Sequence, residues 1–289
     1  KQQHASHVLK VWKAMHAPLM CDWLNTSLVR ILTYPQMNNS VGIFDLTGRI
    51  ACVTGASAGL GQRAAIALAN AGAKVVGVAR RADALAEWAA ATGDHAATVA
   101  ADLSQRDQII NIADRIAAPF GMPDIVVHAA GINTRETADA VTSDGWDMTM
   151  NLNLATPFFL TQAFVPAMKS KGWGRIVNFA SLQTTRAFPG GVSYGASKAG
   201  VGQLTRAMAE AWSKDGINTN AIGPGFFPTE LSGPVFADRE RAARNAAQTC
   251  IGRNGALDDI DGPLLFLCSN ASAYVTGQIL MVDGGYTAK

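Results

Sequence analysis

A chain of 289 residues in which 48% are hydrophobic can bury one large core, and that length suits either one extended α/β domain or two smaller domains. The net charge of +2 and the 16% of charged residues include no basic block, which argues against a nucleic-acid or membrane-surface binder and points to a small-molecule partner. Four cysteines, Cys21, Cys52, Cys250 and Cys268, show neither Cys-x-x-Cys spacing nor a His cluster beside them, so reduced thiols in a cytoplasmic protein are expected, with no zinc site or other metal. No run reaches about 18 uncharged apolar residues, so no membrane span is expected.

The first 36 residues carry Lys1, Lys10, Lys13 and Arg30 against one acid, Asp22. A presequence and an upstream extension ahead of Met37 are both open readings. Residues 1–42 are therefore set apart as an N-terminal extension and residues 43–289 are read as a dinucleotide-binding catalytic domain.

Regular patterning begins at Arg49. RIACV reads as a buried strand, TGASAGLG as a turn, and QRAAIALANAG as a helix ending at Gly72. Gly55, Gly59 and Gly61, with Ser57 and Leu60 between them, would let the backbone approach a pyrophosphate at the start of that helix, where unpaired N–H groups favour an anion. The spacing is Gly-x-x-x-Gly-x-Gly. No Lys-Ser/Thr follows Gly61, which excludes a phosphate loop of the kinase type.

The next strand, AKVVGVA, runs into Arg80 and Arg81. An arginine at that strand end pairs with the 2′-phosphate of NADP, whereas an acid would hold the ribose hydroxyl of NAD. NADP is the expected cofactor, with NAD the alternative if both arginines are merely solvated. HAATVA leads to Asp102 and Leu103, where Asp102 either contacts the adenine or helps cap the next helix. After the helix RDQIINIADRIAAPFG comes DIVVHAAGI, whose Ala129, Ala130 and Gly131 would let a flat ring lie against the backbone. Arg135 follows, on the edge where open α/β sheets bind ligands, and it is either a guanidinium for a substrate carboxylate or an ordinary surface arginine.

WDMTMNLNLATPFFLTQAFVPAMKS reads as one long helix carrying Asn153 and bent near Pro157. The strand GRIVNFA then leads to Ser181, and YGASKAGVGQLTRAMAEAW is a helix that opens on Tyr194 and Lys198. Four residues apart, these two side chains share a face. A cation beside a phenol favours the phenolate, so Tyr194 is the candidate acid/base, Lys198 its tuner, and Ser181 a hydroxyl aimed at the reacting oxygen. INTNAIGPGFFPTEL reads as a strand ending in a turn at Pro224 and Gly225. A charged, helically periodic stretch to about Arg253 then has the place of a substrate lid. DIDGPLLFLCSN is a helix and QILMVDGG a last strand. About seven strands alternate with helices, so the expected fold is α/β: one doubly wound, Rossmann-like domain on a parallel sheet.

With these residues in place, the chain from about Ile43 onward resembles the short-chain dehydrogenase/reductase family. Thr54-Gly55-x-x-x-Gly59-x-Gly61 looks like its cofactor turn, and Ser181, Tyr194 and Lys198 match its catalytic trio. Asn153 is similar to the asparagine that completes a tetrad and holds a water for a proton relay. Pro224-Gly225 with Thr229 looks like the turn onto the nicotinamide carboxamide. HAAG at residues 128–131 stands where the family usually has Asn-Asn-Ala-Gly, which puts local strand stabilisation in question.

Within the family, AGINTR, GRNGALDDIDGPLLFL and VTGQILMVDGGY are most like sugar-acid dehydrogenases of the gluconate 5-dehydrogenase and 2-deoxy-gluconate 3-dehydrogenase type. The resemblance implies interconversion of a secondary alcohol and a ketone by hydride transfer with NAD(P), with Arg135, Ser181 and Tyr194 on the substrate. It also implies a homotetramer built through the last strand and the helices around Asn153 and Tyr194. A 3-oxoacyl-carrier-protein reductase is the rival enzyme reading, for which Arg239, Arg241 and Arg244 would supply a basic surface. A cofactor-binding regulator without turnover is the rival of another class, and it would be expected to lack Tyr194 or Lys198.

Overall fold

The most apolar runs of the sequence become the middle strands of the sheet, buried on both faces as parallel strands between helices require. The computed structural model describes residues 42–289. The expected extension up to residue 41, the readings of residues 1–36 and Cys21 lie outside the described residues. Ile43–Lys289 packs as one unit.

Seven strands form one parallel sheet in the order β3-β2-β1-β4-β5-β6-β7. They are β1 (Ile50–Thr54), β2 (Lys74–Ala79), β3 (Ala96–Ala100), β4 (Ile125–His128), β5 (Gly174–Phe179), β6 (Ile217–Pro224) and β7 (Ile279–Val282). The helices between them are α1 (Gly59–Asn70), α2 (Ala82–Thr92), α3 (Ile109–Ala117), α4 (Ser143–Met150), α5 (Thr156–Lys171), α6 (Val192–Trp212), α7 (Gly233–Phe236), α8 (Arg239–Gln248) and α9 (Asp261–Cys268). On one face of the sheet Leu68 of α1, Leu85 and Trp88 of α2 and Leu264 and Leu267 of α9 close over Val53, Val75 and Val127. On the other, Ile112 and Ile116 of α3, Leu160 and Phe164 of α5 and Met208 of α6 cover Val76, Val126 and Ile176. The chain doubles back between β1 and β4, and the crevice that opens beyond the strand ends at such a reversal is where ligands bind in this architecture.

Two expected elements differ from the structure, each for a local reason. The helix expected from Arg106 to Gly121 ends at Ala117: Ala118 keeps helical angles, but Pro119 has no N–H to continue the ladder and Gly121 turns the chain away at φ +99°. The expected bend near Pro157 is a π-helical turn, Asn151–Ala155, between α4 and α5; the helical run continues through it, and Pro157 just after it has no N–H to add to the ladder. The lid stretch resolves into α7 and α8, with Asp238 capping α8 through the Arg241 N–H. No helix among the described residues is long and apolar enough to cross a membrane.

Candidate active site

Beyond the ends of β1, β2, β4 and β5 lies a cleft of about 530 Å³. Its floor is the turn between β1 and α1. Gly55 has φ +73° and Gly59 φ +56°, left-handed values that favour glycine. A Cβ on Gly55 would lie 2.8 Å from the Ala130 nitrogen, and one on Gly61 would overlap the Gly55 carbonyl oxygen. Ala58, ahead of α1, offers no side-chain cap, so the first N–H groups of α1 are left to face the cleft. The turn thus leaves bare backbone donors on a surface that any side chain would fill, and this fits the pyrophosphate of a dinucleotide. Thr54 ties the floor to β4 by accepting the Ala130 N–H at 3.1 Å.

Gly55, Ser57, Gly59, Leu60, Gly61, Arg80, Arg81, Asp102, Leu103, Ala130, Gly131, Pro224 and Thr229 all line the cleft. Gly225 does not. It approaches β7, with a Cβ there only 2.8 Å from the Asp283 Cα, and donates its N–H to the Val282 carbonyl at 3.0 Å. This close approach packs the chain after β6 against β7. Asp102 uses one carboxylate oxygen on the Ser104 N–H at 3.0 Å and the Ser104 hydroxyl at 2.8 Å. Those bonds, with Arg80 nearby, lower its carboxyl despite partial burial. Asp102 therefore closes a local turn beside the cleft.

At the other end Tyr194 and Lys198 line the cleft from the first turns of α6. Lys198 is 5% exposed and donates to the Phe179 carbonyl at 2.6 Å, with its nitrogen 5.7 Å from the Tyr194 ring centre. Burial brings its ammonium down to about 8. Burial also pushes the Tyr194 phenol up, while the Ser181 hydroxyl and the Arg135 guanidinium pull it back. Arg135 is the cation that acts on the phenol here, while the Lys198 ammonium is held on the Phe179 carbonyl. Ser181 accepts the Gln183 N–H at 3.1 Å, which occupies a lone pair and leaves its O–H to donate to a reacting oxygen.

Asn153 is buried on the π turn. It accepts the Ile132 N–H and donates to the Ile132 carbonyl, both at 2.9 Å, and donates to the Ser197 hydroxyl at 3.0 Å. A Cβ on Gly131 would meet its Oδ1 at 3.3 Å and the Lys198 nitrogen at 3.7 Å. Asn153 thus clamps the chain after β4 beside Lys198, although it does not itself line the cleft.

Arg135 is the one non-glycine residue with positive φ, +57°, among the described residues. Asn133 accepts its N–H at 3.0 Å, and Glu136 locks the next step of the loop onto Thr134 and Thr142. Strain of this kind persists only where the surroundings enforce it, and it clusters at ligand sites. The Arg135 guanidinium donates to the Leu231 carbonyl at 2.5 Å. His128 is buried, with its Nε2 2.7 Å from the Thr161 hydroxyl, and burial lowers its imidazole to about 3, so it is neutral. The doubted strand end is secured by this bond to α5.

Ile132, Glu230, Leu231 and the Phe179 carbonyl join the site without having been expected. Ile132 and Phe179 act through the backbone, which leaves no mark in side-chain pattern. Glu230 was visible as an acid beside Thr229, but nothing in the sequence pairs it with Arg81, 149 residues away. Among the described residues no group of three His, Cys, Asp or Glu side chains comes together to hold a metal.

The family model described as enoyl-(acyl carrier protein) reductase matches residues 55–287. A 2-dehydro-3-deoxy-D-gluconate 5-dehydrogenase of Escherichia coli K12 is 41% identical over 251 residues, covering 85% of this chain and 98% of that protein. A gluconate 5-dehydrogenase of Gluconobacter oxydans 621H is 38% identical, over 85% of this chain and 97% of its own. A crystal structure of a gluconate 5-dehydrogenase from Burkholderia cenocepacia J2315 in complex with NADP and tartrate superposes with a TM-score of 0.83 at 35% identity, covering 87% of this chain and all of that one.

Proposed function

The chain belongs to the short-chain dehydrogenase/reductase family, and from that premise we propose that residues 43–289 form an NADP-dependent dehydrogenase that interconverts a secondary alcohol and a ketone on a sugar acid of the gluconate type. Arg135 carries the substrate reading: its enforced left-handed backbone brings a guanidinium near Tyr194, where it suits a carboxylate bidentately. The names of the relatives point the same way. The glycine turn would hold the pyrophosphate, and Arg80, Arg81 and Ser57 the adenosine end. Bound NADP supplies the hydride acceptor. Tyr194 takes the hydroxyl proton in oxidation and returns it in reduction, with the Ser181 O–H donating to the same oxygen. Asn153 holds the chain at Ile132 and the Phe179 carbonyl holds Lys198, so the reacting groups meet in a fixed geometry that supplies much of the rate.

A homotetramer belongs to the same proposal, supported by exposed apolar side chains on α4, α5 and β7. So does a cytoplasmic location, supported by the buried thiols of Cys52 and Cys268. The carrier-protein reading is weaker at the helix meant to carry it, because Arg244 there pairs with Glu240 and Asp238 caps the helix start.

The test is absorbance at the nicotinamide band with NADP or NAD against gluconate, 2-deoxy-gluconate, simple polyols and an acetoacetyl thioester. Turnover on an aldonate, lost in Tyr194→Phe, is expected. Thioester reduction alone would replace the substrate assignment by the carrier-protein one. Tight nucleotide binding without turnover on any of them would favour the regulator.

A further inference from the structure

Arg81 and Glu230 face each other across the mouth of the cleft, both among its lining residues. The contact is a fork on a fork: Nη1 donates to Oε1 at 2.7 Å and Nη2 to Oε2 at 3.0 Å. Nε and Nη2 also turn onto the Ser57 hydroxyl at 3.3 and 3.1 Å. Only the second N–H of Nη1 is left uncommitted. Arg80, the neighbouring cation, lies close enough to Asp102 to lower its carboxyl. Ser57 and Arg81 therefore make the anion-binding pair at this end, and a carboxylate from the segment after β6 already sits on it.

We propose that Glu230 is a cofactor-selectivity residue: its carboxylate occupies the anion site built by Ser57 and Arg81, and a 2′-phosphate binds there by displacing it. The proposal rests on the NADP reading. Two carboxylate oxygens on one guanidinium present the same geometry as two phosphate oxygens, so the two anions compete for the same donors and repel each other if both remain. NAD has a hydroxyl at this position and gives Glu230 no reason to leave. Glu230 thus weakens NADP binding selectively. The Arg81 and Glu230 side chains are 48% and 67% exposed, and a pair so exposed contributes little stability, as a displaceable partner must. The segment stays seated without it, because Thr229 packs on Gly59 and the Leu231 carbonyl accepts from Arg135.

NADPH and NADH are titrated into the full chain by nucleotide fluorescence at low ionic strength, using wild type, Glu230→Gln, Arg81→Ala and the double variant, with 2′,5′-ADP against 5′-AMP as a second readout. Glu230→Gln is expected to raise the NADPH-over-NADH selectivity about threefold, an increase that shrinks in 1 M salt. Arg81→Ala should remove the selectivity, and Glu230→Gln should then add nothing. Unchanged or reduced selectivity in Glu230→Gln, with Arg81→Ala still impaired, overturns the proposal and leaves the NADP reading standing. An NADPH preference that is equal in wild type and Arg81→Ala overturns the proposal and moves the 2′-phosphate contact to Arg80, whereas no preference for NADPH in wild type overturns the NADP reading as well.

Discussion

Tyr194 is pulled two ways. Burial in the wall of the cleft disfavours the charged phenolate, and the Arg135 guanidinium and Ser181 hydroxyl favour it, with burial the larger effect. Oxidation of an alcohol needs the phenolate as base and reduction needs the phenol as acid, so oxidation should rise with pH and reduction should fall. Replacing Arg135 by Met removes a charge that lowers the phenol, so the rising limb of the oxidation profile should move further alkaline. On an aldonate the same variant should also raise KM about tenfold, the scale of a lost charged hydrogen-bond pair. A neutral polyol separates the two effects, since only the pH shift should survive with it, and Arg135→Lys should restore much of that shift. An unmoved pH profile on both substrates would deny Arg135 any hold on Tyr194. At this scale the sequence was informative about side chains that act directly: the four-residue step from Tyr194 to Lys198 and the serine after a buried strand were legible. The acceptor of the Lys198 ammonium was not, because it is the Phe179 carbonyl, and any residue at that position would present the same oxygen.

Between residue and fold, the site depends on how strand ends are tied to helices. The π turn at Asn151–Ala155 has no signature of its own, because it follows from bonds that Asn153 makes to Ile132 and Ser197, groups distant in sequence. The same holds for His128, which departs from the family pattern and would be read as a weakness without its bond to Thr161, 33 residues on. That bond joins β4 to α5 and gives a sign to acid stability. The imidazole has an ordinary value of 6.5 and is held near 3 by burial, so below about pH 6.5 the unfolded chain binds a proton that the folded chain refuses. Stability is therefore complete above that pH and falls as pH drops toward 3, by about 2 kcal/mol between pH 7 and pH 5 for this one group. The carboxylates of Asp45, Asp102, Glu136 and Asp259 are all lowered and remain ionised across that interval. His128→Asn restores the residue type usual in the family and should flatten the loss. Denaturant unfolding of both proteins at pH 7 and pH 5 measures it, and an equal loss in the two would show that His128 is not the group responsible.

Among the described residues the sheet ends in two edge strands, β3 and β7. β7 pairs only with β6, and Leu280 on it is 38% exposed. An edge strand with apolar side chains is a surface that other chains can pair with or cover. A second group of large apolar side chains, Trp146 on α4 and Phe159 on α5, is exposed on the helices around Asn153. Isolated apolar residues on a surface need no explanation, but neighbours on adjoining helices do. Two separate surfaces, each used twice, suffice to close four chains into a symmetric assembly, whereas one such surface would stop at a dimer. The alternation of strand and helix that gave the fold was legible because each strand is an apolar run and each helix has one apolar face. Which apolar side chains stay exposed was not, since an exposed Leu and a buried Leu look alike in a sequence. Light scattering after size exclusion should give the mass of four chains of 30.3 kDa. Leu280→Asp should reduce it to two by charging the strand edge, while Trp146→Asp with Phe159→Asp should do so through the other surface, and only all three together should give single chains. A monomeric wild type would remove the tetramer, and an undiminished mass in Leu280→Asp would move the first contact away from β7.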